Sequence, residues 1–416
     1  MIFNIFVLVF ASLILIQLYR RSTLLFVCFL PFTVQYSWMF LSILFIENGT
    51  YVSEQDRYGS FVYANFFLLL FLIVSLVSFT SFFRLFDTSL SFNFPKIKLL
   101  RLKESGILLY LAFFVMFLAM TNLLLSPSTY TNSEVSKFTF WNTAQLSFLK
   151  PILGNTIGFF PFILGILFRK HRVKTILLSI VYLVYLVGID QKFTAFLFGL
   201  IAFMVSHVIV NKLYKNDNFL VFKKRYLIIL ASLLFGLVWF KYNNKNPYKH
   251  LGFSPVESIA YRAFGLQGHL FWGTAERYII GDAENSWNIS ELPYGMHTLM
   301  FDFTPDHRKQ YLEEAWQRGV SWTNGYPAIL NRAFPLPIAL VFHFVIFGFV
   351  PLFYALLFKA LNGGNYLVSV IFFQITLWLF NIYSMSYFFR LGKILAILVI
   401  LSLISFIFQK LKYDSN

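Results

Sequence analysis

Residues 61–83 read FVYANFFLLLFLIVSLVSFTSFF, a run without a charged side chain that Arg84 closes. A bilayer-crossing helix needs roughly 20 mostly apolar residues, and this stretch supplies them. The rest of the chain is of the same kind. Of its 416 residues 58% are hydrophobic and 12% are charged, about half the charged share of a soluble domain. With 55 Phe, that composition excludes a soluble globular enzyme and a disordered chain. The net charge of +16 would point to nucleic acid in a soluble protein. In a membrane chain it reads instead as basic residues gathered in cytoplasmic connections, so no nucleic-acid partner is expected. A single cysteine, Cys28, excludes an intramolecular disulfide and a Cys-based zinc site.

Working outward from 61–83, hydropathy predicts eleven spans, at about 2–18, 23–46, 61–83, 106–125, 151–168, 174–189, 193–211, 226–241, 335–358, 366–385 and 391–409. The fold class expected is all-α: a polytopic integral membrane protein with one large helical extracytoplasmic loop. The first stretch lacks a basic n-region and a small-residue cleavage site, so it reads as an uncleaved span. Alternate connections hold nineteen Lys and Arg against six in the short connections of the other side. This asymmetry places the N-terminus outside and the C-terminus inside. Three regions follow: a membrane bundle of about eight spans over 1–241, an outer loop over 242–334, and a bundle of about three spans over 335–416. A connection as long as 242–334 is usually functional.

The loop carries its own helix signals. Ser254-Pro255-Val256-Glu257 combines an N-cap, a proline at the first helical position and a capping-box glutamate. An amphipathic helix from there to about Tyr278 would place Arg262, His269 and Glu276 on one stripe, about 10 Å apart in sequence order. They would line a groove as catalytic candidates; a helix lying on the bilayer with a solvated polar face is the alternative. A second helix is expected from Thr304-Pro305-Asp306 to Gly319, carrying His307, Arg308 and Lys309. Gly188-Ile189-Asp190-Gln191-Lys192 is so short a connection that Asp190 and Lys192 sit at the hydrocarbon edge. Lys192, with Arg332 and Arg390, would form an outward cationic rim. His207 and His343 fall inside spans and read as helix–helix hydrogen-bonders. Glu54-Gln55-Asp56 could chelate a divalent cation, but no metal ligand and no cofactor is assigned. There is no Walker A, H-E-x-x-H, G-x-S-x-G or dinucleotide motif.

This layout resembles the Wzy-type O-antigen polymerases, a GT-C-like group of ten to fourteen spans with a large late outer loop. Gly188 to Lys192 stands where the family carries a Gly-Ser-Arg-Gly-like turn, with Lys192 in place of the arginine. Arg262 to Gly273 and Arg308 to Gly319 match an arginine–glycine spacing of its periplasmic loops. Trp322-Thr323-Asn324-Gly325-Tyr326 stands where ligases show His-Asn. The resemblance implies a glycosyltransferase of the bacterial inner membrane that polymerises undecaprenyl-diphosphate-linked repeat units into O-antigen or capsular polysaccharide. It also implies partnership with a chain-length regulator. In that reading Lys192, Arg308 and Arg332 bind pyrophosphate, and Arg262, His269 and Glu276 are catalytic, with His269 or Glu276 as base. The rival readings are an O-antigen ligase or other lipid-linked-sugar glycosyltransferase, and a lipid-linked oligosaccharide flippase or other transporter.

Overall fold

A computed structural model describes residues 2–89, 105–213 and 252–400, apart from 61, 128, 130–138, 192, 318–324, 363–364, 387 and 389, with a scattering of residues between 232 and 249. Helix α1 (Ile2–Arg21) breaks at Ser22, whose hydroxyl caps α2 (Thr23–Glu47) by accepting from Leu25 N at 3.3 Å. A hairpin follows, β1 (Tyr51–Val52) against β2 (Arg57–Tyr58), with Val52 opposite Arg57. Then come α3 (Ala64–Ser89), α4 (Ser105–Leu125), α5 (Phe140–Thr143), α6 (Lys150–Phe168), α7 (Arg172–Gly188) and α8 (Phe193–Leu213). The C-terminal part holds α9 (Pro255–Ala260), α10 (His269–Thr274), α11 (Gly295–Phe303), α12 (Asp306–Gln317), α13 (Ala328–Ala333), α14 (Leu336–Phe347), α15 (Phe349–Asn362) and α16 (Tyr366–Met385). Apart from the hairpin, the described elements are helical, and the all-α class holds.

The span count does not. Among the described residues five helical stretches are long and apolar enough to cross a membrane: Ile2–Arg21, Thr23–Glu47, Ala64–Phe86, Gly106–Leu125 and Leu336–Asn362. A sixth is added if Ser147–Gly154 and Gly158–Phe168, which meet at 53°, count as one broken span. Helix α7 has only 17 residues, about 25 Å at 1.5 Å rise, short of the roughly 30 Å hydrocarbon core. The expected spans at 193–211 and 366–385 contain the shorter apolar stretches Ala195–Asn211 and Val368–Ser384. Most of 226–241, and 401–409, lie outside the described residues. The protein is therefore a multi-pass helical membrane protein, with five or six spans among the described residues in place of the eleven expected. The many-span architecture of the Wzy-type polymerases is not found among the described residues, and the resemblance to that family, with the O-antigen polymerase identity it carried, is overturned.

Contacts divide the chain into two compact units: Met1–Ile97 with Ala260–Lys359 and Ile375–Asn416, and Lys98–Ile259 with Ala360–Gln374. In the second unit α6 and α8 run against each other. A methyl on Gly165 of α6 would collide with Phe203 O and Ser206 Oγ of α8, so the glycine sets how closely they approach. Phe162 stacks on Phe373 at 4.1 Å.

The first unit corrects the large outer loop. The described residues between Tyr261 and Ala333 form a relay of short helices built into the unit, with Phe271, Trp272, Met296, Leu299, Ile329 and Leu330 fully buried. The helices that carry them have six to twelve residues, too short for the roughly 20 that a span needs. At the centre of the unit His343 of α14 is wholly buried. Its Nδ1 meets the Tyr326 hydroxyl, and its Nε2 lies 2.7 Å from Ser75 Oγ and 3.1 Å from Phe71 O. Tyr36 joins through Ser75 at 2.8 Å, and Gln35 Nε2 donates to Tyr383 O at 2.7 Å. Both ring nitrogens are satisfied, so His343 fastens α2, α3 and α14 together. His343→Leu is expected to lower stability by about 1–3 kcal/mol through the hydroxyls it strands; unchanged melting of the purified protein would contradict this role.

Candidate functional site

The relay docks on the hairpin through a few polar contacts. Tyr261 lies in a π-helical turn, Tyr261–Gly265. Its hydroxyl donates to Tyr51 O at 3.2 Å and accepts from Ser53 N at 2.9 Å. Gly268 N donates to Ser42 Oγ at 2.8 Å. A Cβ on Gly268 would lie 2.7 Å from Met39 O, so only glycine lets α10 start against α2. Gln55 Nε2 donates to His269 O at 3.0 Å, and Trp272 Nε1 to Ser60 O at 3.1 Å. A second π-helical turn, Ala275–Ile280, follows α10 directly. π-helical turns are rare and concentrate at functional sites; here two of them bracket His269–Thr274.

Arg57 is the centre of this docking. Its guanidinium pairs with Glu276, donates from Nε and Nη2 to Gln55 Oε1 at 3.2 and 3.1 Å, and lies 4.5 Å over the Trp272 ring. Glu276, Arg57, Gln55 and the His269 backbone thus form one connected chain. The His269 side chain is 4% exposed. Its Nδ1 is 2.5 Å from Leu266 O. A carbonyl can only accept, so Nδ1 carries a proton, and the tautomer this bond selects puts the lone pair on Nε2. Nε2 is buried and bonds to none of the described residues.

Asp302 forms a second centre. Arg332 Nε pairs with its carboxylate, Arg277 Nη1 donates to its carbonyl at 3.0 Å, and the Tyr278 hydroxyl is 3.5 Å from Oδ2. Burial pushes the Asp302 carboxyl above its ordinary range, with Arg277, Tyr278 and Lys309 opposing the shift. On the hairpin, Asp56 has φ 52°, accepts from Tyr51 and faces His307 at 3.5 Å. The Tyr51 hydroxyl, Arg308 and His307 hold its carboxyl below the ordinary range. Arg308 Nη1 donates to Ser53 O.

The expected stripe of Arg262, His269 and Glu276 does not exist as one helix face. The capping box is present, with Ser254 N donating to Glu257 Oε2 at 2.7 Å, but α9 ends at Ala260 and the chain breaks again at 266–268. Arg262 lies in the first π-helical turn, where its carbonyl accepts from Gln267 at 2.8 Å. His269 is buried, and Glu276 is committed to Arg57 rather than open to solvent as a base. Arg308 and Arg332 are held by Ser53 and Asp302. Lys192 and 318–324, which include Gly319 and Trp322-Thr323-Asn324, lie outside the described residues. Asp190 is buried with φ 57°. Glu54 binds the Ser53 hydroxyl at 2.8 Å while Asp56 turns to Tyr51, and no three His, Cys, Asp or Glu converge on one point among the described residues.

The sequence reading missed Arg57, Gln55 and Asn331. Asn331 of α13 is 1% exposed, and neither its Oδ1 nor its Nδ2 has a hydrogen-bond partner among the described residues. A buried amide left so costs about 1–3 kcal/mol. No periodic signal marks these residues: Arg57 and Gln55 are defined by partners far along the chain, and Asn331 by burial without a partner among the described residues.

Residues 290–401, about a quarter of the chain, match a family of unknown function (DUF6418). No curated protein and no solved structure matches the chain. The matched stretch includes Asp302, Arg308, Asn331, Arg332 and His343, but not the hairpin or His269.

The raised Asp302 carboxyl gives a pH signature. The native state holds this proton more readily than the unfolded chain, whose aspartate titrates near ~3.9. Asp302 therefore lowers stability as pH rises from the unfolded value through the folded one. Asp302→Asn is expected to remove that part of the decline in melting temperature over this interval; a profile parallel to wild type would contradict it.

Proposed function

We propose that the protein is an enzyme that transfers a glycan from an undecaprenyl-diphosphate carrier to a hydroxyl of a second lipid-linked glycan, so that repeat units are joined. It works at the outward face of a bacterial cytoplasmic membrane, with its N-terminus on that face and its C-terminus inside. The observation that carries the reading is His269: a buried imidazole whose tautomer is fixed by Leu266 O and whose Nε2 lone pair is uncommitted, joined through its backbone to the Gln55–Arg57–Glu276 chain. An attacking hydroxyl gains from a base of this kind.

The leaving group is a lipid pyrophosphate, and positive charge must sit where its negative charge develops. Arg57, Arg277, Arg308 and Arg332 belong to the same unit and are oriented by Glu276, Asp302 and Ser53 O. A guanidinium has five N–H donors, and the Arg57 bonds to Glu276 and Gln55 use only Nε and Nη2. The side chain is 33% exposed, which leaves Nη1 for a phosphate oxygen. The bond being broken supplies the energy, so no nucleotide is required. Sidedness rests on Arg20, Arg21 and Arg84 closing the far ends of α1 and α3, away from the hairpin. This reading stands on the site and not on the polymerase architecture that the span count removes.

The test is deletion of the gene in its native host, with surface glycolipids resolved on a gel and plasmid-borne variants returned. The expected result is loss of polymer with single repeat units retained, restored by wild type. His269→Ala should lower transfer by about 10²–10⁴-fold and Arg308→Ala by about 10²-fold, both at normal membrane levels. A deletion strain with an unchanged ladder would sink the reading. Lipid-linked units stranded on the cytoplasmic face would replace it with transport.

A further inference from the structure

Helices α10 and α13 pack side by side within the first unit. Each contributes one buried side chain whose hydrogen-bonding capacity the described residues do not meet. On α10 this is the Nε2 acceptor of His269, 4% exposed; on α13 it is the whole amide of Asn331, 1% exposed. Among the described residues Asn331 is the one amide with both side-chain polar atoms in that condition. Its surroundings are held firmly. Asn285 Nδ2 donates to Asn331 O at 2.8 Å, Ser286 N to Arg332 O at 3.0 Å and Trp287 N to Ala333 O at 3.0 Å, so residues 285–287 strap α13 down. The next residue, Arg332, is anchored by Asp302 in the charged shell.

We propose that His269 and Asn331 form a subsite for un-ionised hydroxyls of the glycan, lying against the arginines that take its pyrophosphate. The inference rests on the glycan-transfer reading and names the part of the substrate these two residues recognise. The donor and acceptor inventory decides the chemistry. Two acceptors, His269 Nε2 and Asn331 Oδ1, and the donors of Asn331 Nδ2 match groups that both give and take hydrogen bonds, as sugar hydroxyls do. An anion would meet two lone pairs, and neither residue supplies charge for a cation. A buried polar pair without internal partners is costly in the free protein and rejects ligands that lack the matching groups, which gives discrimination.

The test uses the full chain in phosphatidylcholine nanodiscs, which bring no lipid hydroxyls of their own. Two probes are compared: the lipid-pyrophosphate-linked glycan extracted from the host, and inorganic pyrophosphate. Asn331→Leu is expected to bind the glycan lipid at least about tenfold more weakly, to bind pyrophosphate as wild type does, and to melt at the same or a higher temperature, since it removes unpaired polar atoms. Wild-type glycan binding by Asn331→Leu overturns the subsite while leaving the transfer reading intact. A lower melting temperature does the same by showing that the amide is bonded within the protein. A loss of glycan binding seen only in phosphatidylglycerol nanodiscs reassigns the residues to a headgroup and overturns the glycan assignment. Wild type binding neither probe removes the transfer reading and the subsite with it. A second readout needs no variant at Asn331: the His269 Nε2 nitrogen resonance, assigned by its loss in His269→Phe, should shift with the glycan lipid and not with pyrophosphate. An unmoved resonance contradicts the proposal.

Discussion

Arg57 cannot sit where it does alone. A guanidinium drawn partly out of water against a tryptophan ring needs a counter-charge and acceptors for its donors. Its partners lie at very different distances along the chain: Gln55 is two residues away, while Glu276 is 219 residues away. That pair fastens the hairpin after α2 to the turn after α10. Once it is made, the Gln55 amide is oriented onto His269 O, and Trp272 is fixed between Arg57 and Ser60 O. The geometry of His269 then follows from its own backbone, through Leu266 O.

The relay from Tyr261 to Ala333 obeys the same constraint at the level of the backbone. Chain buried among membrane helices must satisfy its polar groups within the protein. Short helices do so internally, and their ends are met by specific partners. Gly268 N uses Ser42 Oγ, Gly325 N uses Ser384 O at 3.1 Å and Phe334 N uses Leu330 O at 2.8 Å. The buried groups that stay unmatched stand out against this accounting, and at His269 and Asn331 they lie on neighbouring helices beside a charged shell. Within that shell Arg57, Arg308 and Arg332 are each held by an acid or a carbonyl, which costs reach but fixes direction.

Hydropathy located α1, α2, α3, α4 and the 336–362 stretch to within a few residues, because a lipid-facing helix must be apolar on nearly every side. It failed where apolar residues face other protein. Phe160, Phe162 and Phe373, all inside expected spans, are as hydrophobic as any lipid-facing residue, yet they are buried in protein contacts. Composition does not distinguish the two environments, so eleven spans were read where five or six are found among the described residues. The capping box at Ser254 and Glu257 was legible because its partners are three residues apart. The length of the helix it starts was not: the chain leaves the α-helical register at Tyr261 and breaks at Leu266, with Gly268 held against α2. Of the candidate residues, His269 and Glu276 were visible by type, but Arg57, which joins them, pairs at a separation no local pattern records.

The Arg57–Glu276 pair joins the two distant parts of the chain from which the site is assembled. A double-mutant cycle measures it most directly, with Arg57→Ala, Glu276→Ala and the double variant compared for melting temperature and for binding of the glycan-bearing lipid. The double variant is expected to lose clearly less than the sum of the two single losses in both readouts, because each single change already breaks the same link. Strictly additive losses would mean that the two residues act independently, and would contradict it.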